Sequence, residues 1–201
     1  MQNAQPVVLS TAHAKLPPVA LARSPSAEEQ FWYDAAKAVP DKLVAIDQRV
    51  GGGMRLRKRI ATARLLRAQS GTWVLRRSVF EAVLTDLQAT ELVLVPVEAH
   101  DAEGLIDDDW MLLHVSTVVD VDRRASTFGP HPEPGRKGEQ PLLLRWTEPP
   151  APSLFRLSEH PWVLCASSAL FTRLHRASKR AIVEATPPYS HRQPAFFPVA
   201  F

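Results

Sequence analysis

The chain has 201 residues, of which 45% are hydrophobic and 22% are charged. This composition is typical of a folded globular protein and excludes intrinsically disordered, collagen-like and coiled-coil chains. The longest stretch without a charged residue is the first 14 residues, which is shorter than the roughly 18 apolar residues of a membrane span. That stretch also lacks the basic start and long apolar core of a secretory signal, so we expect a cytoplasmic protein.

The chain contains one cysteine, Cys165. It can form neither an internal disulfide nor, by itself, a zinc site. Its neighbours Val163, Leu164 and Ala166 predict a buried strand, in which a thiol behaves as a small apolar side chain. We expect no cofactor.

The net charge of +3 conceals a segregation of charge along the chain. Residues 48–80 contain nine basic residues and no acid, whereas residues 81–122 contain eleven acids and neither Lys nor Arg. The two segments either lie side by side and neutralise each other, or at least one presents a face of a single sign that attracts a charged partner.

The first 25 residues contain four prolines and no periodic apolar pattern, which predicts an irregular arm. We expect residues 26–201 to form a single domain. A capping-box spacing between Ser26 and Glu29 predicts a helix over residues 26–38. Strands are predicted at residues 43–46 and at residues 54–57, where alternating arginines would give a basic face.

The middle of the chain predicts a helix over residues 78–88 that begins at Ser78. A β-rich stretch follows at residues 92–97, and Pro96 favours a sheet edge or a strand end there. Another strand is predicted over residues 110–121. The residues between these two strands, 98–109, contain six acids and are predicted to form an acidic loop.

Three further strands are predicted at residues 142–146, 154–157 and 162–165. A helix then begins at Ser167 or Ser168, and a closing strand follows at residues 181–183. The pattern predicts an α+β fold, with a mostly antiparallel sheet and two or three helices packed on one side.

Catalytic and nucleic-acid functions each have candidate residues. A small hydrolase would use His114, His160 or Cys165, but no motif joins them. A nucleic-acid-binding protein would use the basic segment at residues 49–77, which has few aromatic residues for base stacking. Asp107 to Asp109 lack the spacing of a calcium loop. No catalytic constellation stands out, and the hydrolase and nucleic-acid-binding functions remain alternatives, of which nucleic-acid binding is not favoured. We expect no membrane partner.

The order of elements in the second half resembles a known family. The matching stretches are residues 78–88, 91–98, 110–115, 118–126, 154–157, 162–170 and 182–184. They include an Asp-x-x-x-Ser step from Asp122 to Ser126 and a Phe-Arg-Leu step that begins at Phe155. Over about residues 73–185 the chain resembles the proteobacterial immunity-protein family numbered eleven among the polymorphic-toxin immunity families. The end of the last helix, at residues 176–180, has no glycine, where one is expected.

The resemblance implies a protein that binds and neutralises a cognate toxin, encoded by an adjacent gene, without catalysing a reaction. Because many toxins that act on nucleic acid are basic, an acidic surface suits an inhibitor. We therefore predict that the acidic loop and its two central apolar residues bind the toxin. These residues are Glu98, Asp101, Glu103, Leu105, Ile106, Asp107, Asp108 and Asp109.

Overall fold

The computed structural model describes residues 5–11, 19–23, 40–47, 60–68, 73–87, 92–101, 103–130, 139–148 and 150–185. The predicted helix at residues 26–38 and the basic strand at residues 54–57 lie outside the described residues. In the described part, no helix is long and apolar enough to span a membrane.

The described part contains thirteen strands and two helices. In chain order these are β1 (Val7–Thr11), β2 (Val19–Ala22), β3 (Leu43–Asp47), β4 (Leu65–Arg67), β5 (Trp73–Arg76), α1 (Arg77–Val83), β6 (Leu92–Asp101), β7 (Gly104–Val115), β8 (Val118–Val119), β9 (Thr127–Pro130), β10 (Glu139–Leu143), β11 (Leu154–Leu157), β12 (Leu164–Ala166), α2 (Ser168–Ala177) and β13 (Ile182–Glu184).

The largest sheet has six strands in the order β2-β3-β6-β7-β5-β4. The β3–β6 pair is parallel and the other pairs are antiparallel. Strand β6 is therefore internal, although Pro96 had favoured a sheet edge or a strand end. The sheet accommodates this proline because the register of β3 on β6 begins at Val97, one residue later.

A second sheet has five strands in the order β13-β1-β12-β11-β8, and β9 and β10 form a separate two-stranded ribbon. The prediction of an irregular arm is wrong for residues 7–11 and 19–22. Strand β1 pairs with both β12 and β13, and β2 pairs with β3. Sequence patterns miss such strands because their partners lie far away in the chain.

Both helices of the described part were predicted, with one wrong boundary. Helix α1 ends at Val83 rather than at residue 88, and Ser78 does not cap it. The Ser78 hydroxyl instead accepts a hydrogen bond from the Arg64 guanidinium at 3.0 Å. Helix α2 begins as predicted, because the Ser167 hydroxyl accepts a hydrogen bond from the Leu170 amide.

The six-stranded sheet is buried on both faces. Leu113 of β7 belongs to a core cluster that includes residues of both large sheets and of both helices. Its neighbour Leu112 belongs to a second cluster on the opposite face. Burial on both faces explains why residues 110–115 are all buried and, apart from His114, apolar instead of alternating.

The predicted fold class is therefore correct in outline, because the described chain is α+β and its strand pairs are mostly antiparallel. The sequence predicted one sheet, whereas the structure has two large sheets and a ribbon. The two helices contact one core cluster between the large sheets.

Candidate interaction surface

The acidic residues 98–109 do not form a loop. Strand β6 continues to Asp101 and β7 begins at Gly104, so these residues form the end of a long antiparallel hairpin. The prediction failed because aspartates and glutamates are rare within strands, and the partner strand supplies the order that local propensity lacks. The acids thus have fixed positions along two paired strands.

The hairpin turn depends on two residues. Asp101 pairs with Gly104, and the Asp101 carboxylate accepts a hydrogen bond from the Glu103 amide at 2.9 Å. Gly104 has a φ angle of +119°, which residues with a side chain rarely adopt. A glycine at this position allows the tight reversal.

Arg76 of β5 holds two of the predicted partner-binding carboxylates. Its guanidinium lies 3.0 Å from an oxygen of Asp107 and 3.4 Å from an oxygen of Asp109. It also donates to the carbonyls of Ile60 and Ala63 at 2.7 and 3.0 Å and lies over the ring of Trp110. Asp107 and Asp109 are therefore parts of an internal ion-pair network.

Glu98 is neutralised in a similar way at the other side of the hairpin. The Lys42 ammonium lies 2.5 Å from one of its carboxylate oxygens, and the His100 imidazole lies 3.2 Å from the other. Hydrogen bonds from Lys42 and His100 lower the pKa of Glu98. At Arg76 and Arg77 the basic segment therefore lies beside the acidic segment and pairs with Asp107 and Asp109. Lys42, which precedes the basic segment, pairs with Glu98.

The remaining predicted residues differ in exposure. Leu105 is 52% exposed and is one of three large hydrophobic residues exposed in the described part. Glu103 and Asp108 are also exposed. Ile106 is partly buried against the second core cluster and supports the hairpin from inside. Near its end the hairpin therefore has an exposed leucine that is flanked in the sequence by two exposed acidic residues.

Of the three candidate catalytic residues of a hydrolase, Cys165 and His160 are not hydrogen-bonded to each other. Cys165 is fully buried, as predicted, and burial raises the pKa of its thiol. A buried thiol with a raised pKa is a poor nucleophile at neutral pH. Burial also lowers the pKa of His114 and His160, and neither ring nitrogen of His160 has a hydrogen-bond partner.

A cluster around Arg123 was not predicted from the sequence. Its guanidinium forms ion pairs with Glu139 and Glu159 and lies 4.7 Å from the centre of the Phe128 ring. The Phe128 ring stacks on the ring of His160. These residues are 5 to 37 positions from Arg123 in the sequence, so no local motif could have indicated the cluster.

The Asp-x-x-x-Ser step has a structural role. The Asp122 carboxylate accepts hydrogen bonds from the amides of Arg124 and Ala125, and from both the amide and the hydroxyl of Thr147. These bonds lower the pKa of Asp122 to about 2. Ser126 exchanges two hydrogen bonds with the backbone of Arg145. Together they fasten residues 122–126 to residues 145–147.

Among the described residues, no three His, Cys, Asp or Glu side chains are grouped as metal ligands. Comparison with known proteins found no matching family model and no matching curated protein.

Proposed function

We propose that this protein is an immunity protein of the family numbered eleven, which binds a cognate toxin in a stoichiometric complex and neutralises it without catalysis. The proposal rests on the family resemblance over residues 73–185 and on one structural observation. Leu105 is an exposed leucine near the end of an ordered hairpin, two residues after the exposed Glu103 and three residues before the exposed Asp108. A bulky apolar side chain supplies binding energy when it enters a pocket of the partner.

The carboxylates near Leu105 define the partner's chemistry. Asp108 is exposed and lies on the same strand as Leu105. Carboxylates at the rim of an interface accelerate association with a basic protein and make the rate depend on salt. The partner is therefore a basic toxin with an apolar pocket, encoded by an adjacent gene, and the complex forms in the cytoplasm.

The order of the hairpin strengthens this proposal. Its strands pair from Leu92 with Val115 to Asp101 with Gly104, and Arg76 ties β7 to the neighbouring residues 60–64. A binding element that is ordered before association loses less conformational entropy when the complex forms.

Co-expression with the product of the adjacent gene tests the proposal. We expect a stable complex of defined stoichiometry. Leu105→Ala should raise the dissociation constant about tenfold or more, mainly through faster dissociation. Val118→Ala is the matched control, because Val118 is 57% exposed but lies in the other large sheet. Equal effects of the two variants, or no complex, would contradict the proposal.

The electrostatic part has its own test. Asp108→Asn should slow association and reduce its dependence on salt, with little change in dissociation. Asp120→Asn is the control, because Asp120 is an exposed carboxylate outside the hairpin. Asp107 and Asp109 are unsuitable for this test, because their loss would also disturb the Arg76 network. An unchanged salt dependence in Asp108→Asn would remove the acidic surface from the proposal.

A further inference from the structure

The environment of His160 is unusual for a histidine. The residue is 5% exposed, and both of its ring nitrogens are buried without a hydrogen-bond partner. Its ring stacks on Phe128 with centroids 6.2 Å apart and contacts the ring of Trp162 edge-on at 5.1 Å. Unpartnered buried polar atoms are costly, so natural proteins contain few of them. In this position the imidazole serves as an aromatic surface, which requires its neutral form.

Three charged groups lie around this ring. Glu159 precedes it in the chain, while Arg123 and Glu139 approach from the loop after β8 and from the ribbon. Glu159 and Glu139 favour a charged imidazole and Arg123 disfavours it, but burial is the largest influence and lowers the pKa of His160. The two carboxylates are already paired with Arg123.

Hydrogen bonds fix the backbone of the β11–β12 connection, which contains His160. The His160 carbonyl accepts a hydrogen bond from the Val163 amide at 2.8 Å, and the buried Arg156 guanidinium donates to the Pro161 carbonyl at 2.6 Å. The Ser158 amide also donates to the Val119 carbonyl. The β11–β12 connection is therefore held to its sheet from several directions.

The ribbon of β9 and β10 is held differently. Its base is fastened by the bonds of Asp122 and Ser126 to residues 145–147. Beyond that base, the ribbon is linked to the rest of the described structure near His160 by the stack of Phe128 on His160, by the Arg123 guanidinium over the Phe128 ring, and by the ion pair of Glu139 with Arg123 at 3.1 Å. Phe128 also packs, partly buried, against the core cluster that contains Val8 and Phe155. A ribbon that is fixed at its base and held by such contacts can open as a unit.

We propose that His160 is a proton-sensitive latch, which holds the β9–β10 ribbon closed while its imidazole is neutral and releases it when the imidazole is protonated. The proton adds a positive charge between two aromatic rings and near Arg123, at a position where neither nitrogen has an acceptor. Since the β11–β12 connection is fixed, the ribbon moves away and water reaches the imidazolium. The latch does not depend on the toxin-binding function proposed above.

The pH dependence of ribbon opening follows from the difference in the pKa of His160 between the open and the closed form. The open form binds one proton at the ordinary pKa of an exposed histidine, whereas the closed form binds it at a lower pH. The ratio of closed to open ribbon should therefore fall about tenfold for each pH unit below about 6.5, until the closed form is protonated as well. Opening uncovers Phe128 and breaks the pair of Glu139 with Arg123.

Hydrogen exchange of the full chain tests the latch. Amide protection factors, corrected for the intrinsic pH dependence of exchange, are compared at about pH 7.5 and about pH 5.5. We expect the ribbon amides to lose about tenfold in protection at the lower pH. The amides of β11 and β12 exchange through global unfolding, so the ribbon amides should be less protected than those of β11 and β12 at both pH values. Equal protection factors in the ribbon and in β11 and β12 at both pH values would indicate that only global unfolding exposes the ribbon and would overturn the proposal.

His160→Phe keeps an aromatic ring and removes the proton site, so its ribbon protection should not depend on pH. His114→Phe is the control, because His114 is also a buried histidine with a lowered pKa but lies in β7. This variant should retain the pH dependence of the ribbon. The same pH dependence in His160→Phe as in the wild type would overturn the proposal.

A second measurement keeps the test valid if His160→Phe does not fold. In the wild type, the loss of ribbon protection should begin at about pH 6.5, whereas the imidazole titration followed by NMR should have a lower midpoint, at the pH where that loss levels off. Phe128→Ala should open the ribbon at both pH values and move the pKa of His160 towards that of an exposed histidine. An imidazole that titrates at about pH 6.5 while the ribbon keeps its full protection would overturn the proposal.

Discussion

At the scale of single residues, Arg76 determines how much of the acidic surface is available to a partner. In the sequence it is one of the nine basic residues of residues 48–80, a segment that contains no acid. In the structure its side chain is 13% exposed and contacts Asp107, Asp109, Trp110 and the backbone of residues 60–63. Arg76 therefore joins the hairpin to β5 and to the turn before β4.

Arg76→Gln should destabilise the fold by about 2–3 kcal/mol, because it leaves the Asp107 carboxylate and two carbonyls without their donor and removes one of the two cationic partners of Asp109. Urea unfolding at neutral pH measures the change. The matched control is Arg77→Gln. Arg77 is more exposed and makes one ion pair, at 3.5 Å from Asp109, so its loss should cost less than about 1 kcal/mol. Equal losses in both variants would show that the network around Arg76 adds nothing.

At the scale of elements, β1 determines how the N-terminal part of the chain contributes to the fold. The strand lies between β12 and β13, so its removal would separate β13 from its sheet. Val8 belongs to one core cluster, whereas its neighbour Leu9 belongs to another. A strand with both faces buried is part of the core rather than of a mobile arm.

Val8→Ala should lower the free energy of unfolding by about 2 kcal/mol, because it removes two buried methyl groups and leaves a cavity. Val93→Ala is the control, since Val93 lies in a strand of the other large sheet and is about half exposed. It should change stability by less than about 0.5 kcal/mol. Thermal or urea unfolding of the two variants provides the comparison. Similar small effects would mean that β1 is only loosely held.

At the scale of the whole molecule, stability should depend on pH through groups with lowered pKa values. Below about pH 6.5 the unfolded chain binds protons at His114 and His160 that the folded chain does not. Stability therefore falls as the pH drops through this range. A second loss follows at lower pH, because the pKa of Asp122 is about 2 in the folded chain, against an ordinary value of 3.8.

Asp122→Asn should separate the loss of stability that is due to Asp122 from the loss that is due to the two histidines. The variant lacks the charge that accepts the hydrogen bonds of Thr147, so it should be less stable than the wild type above about pH 4. The difference should shrink as the pH falls towards about 2, because the wild type then loses the same charge. Urea unfolding across this pH range measures the difference in free energy of unfolding. Asp120→Asn is the control and should have little effect on stability. A constant difference would contradict the assigned role of Asp122.

The strongest local patterns were sufficient to predict several elements and one buried side chain. The strand at residues 154–157, the Ser167 cap and the buried Cys165 were predicted correctly. In each case the cause is local, because a run of apolar residues must be buried and a serine at a helix start satisfies a free amide. The acidic character of the candidate surface was equally evident from residue types.

Only the tertiary structure decided which of those acids face outwards. Arg76 and Asp107 are 31 residues apart, and no spacing in the sequence indicates that they form an ion pair. The same holds for β1, whose partner β12 lies far along the chain, and for His160, whose ring meets Phe128 on a separate ribbon. Pairing over such distances depends on the shape of the assembled core, because local propensity carries no information about a distant partner.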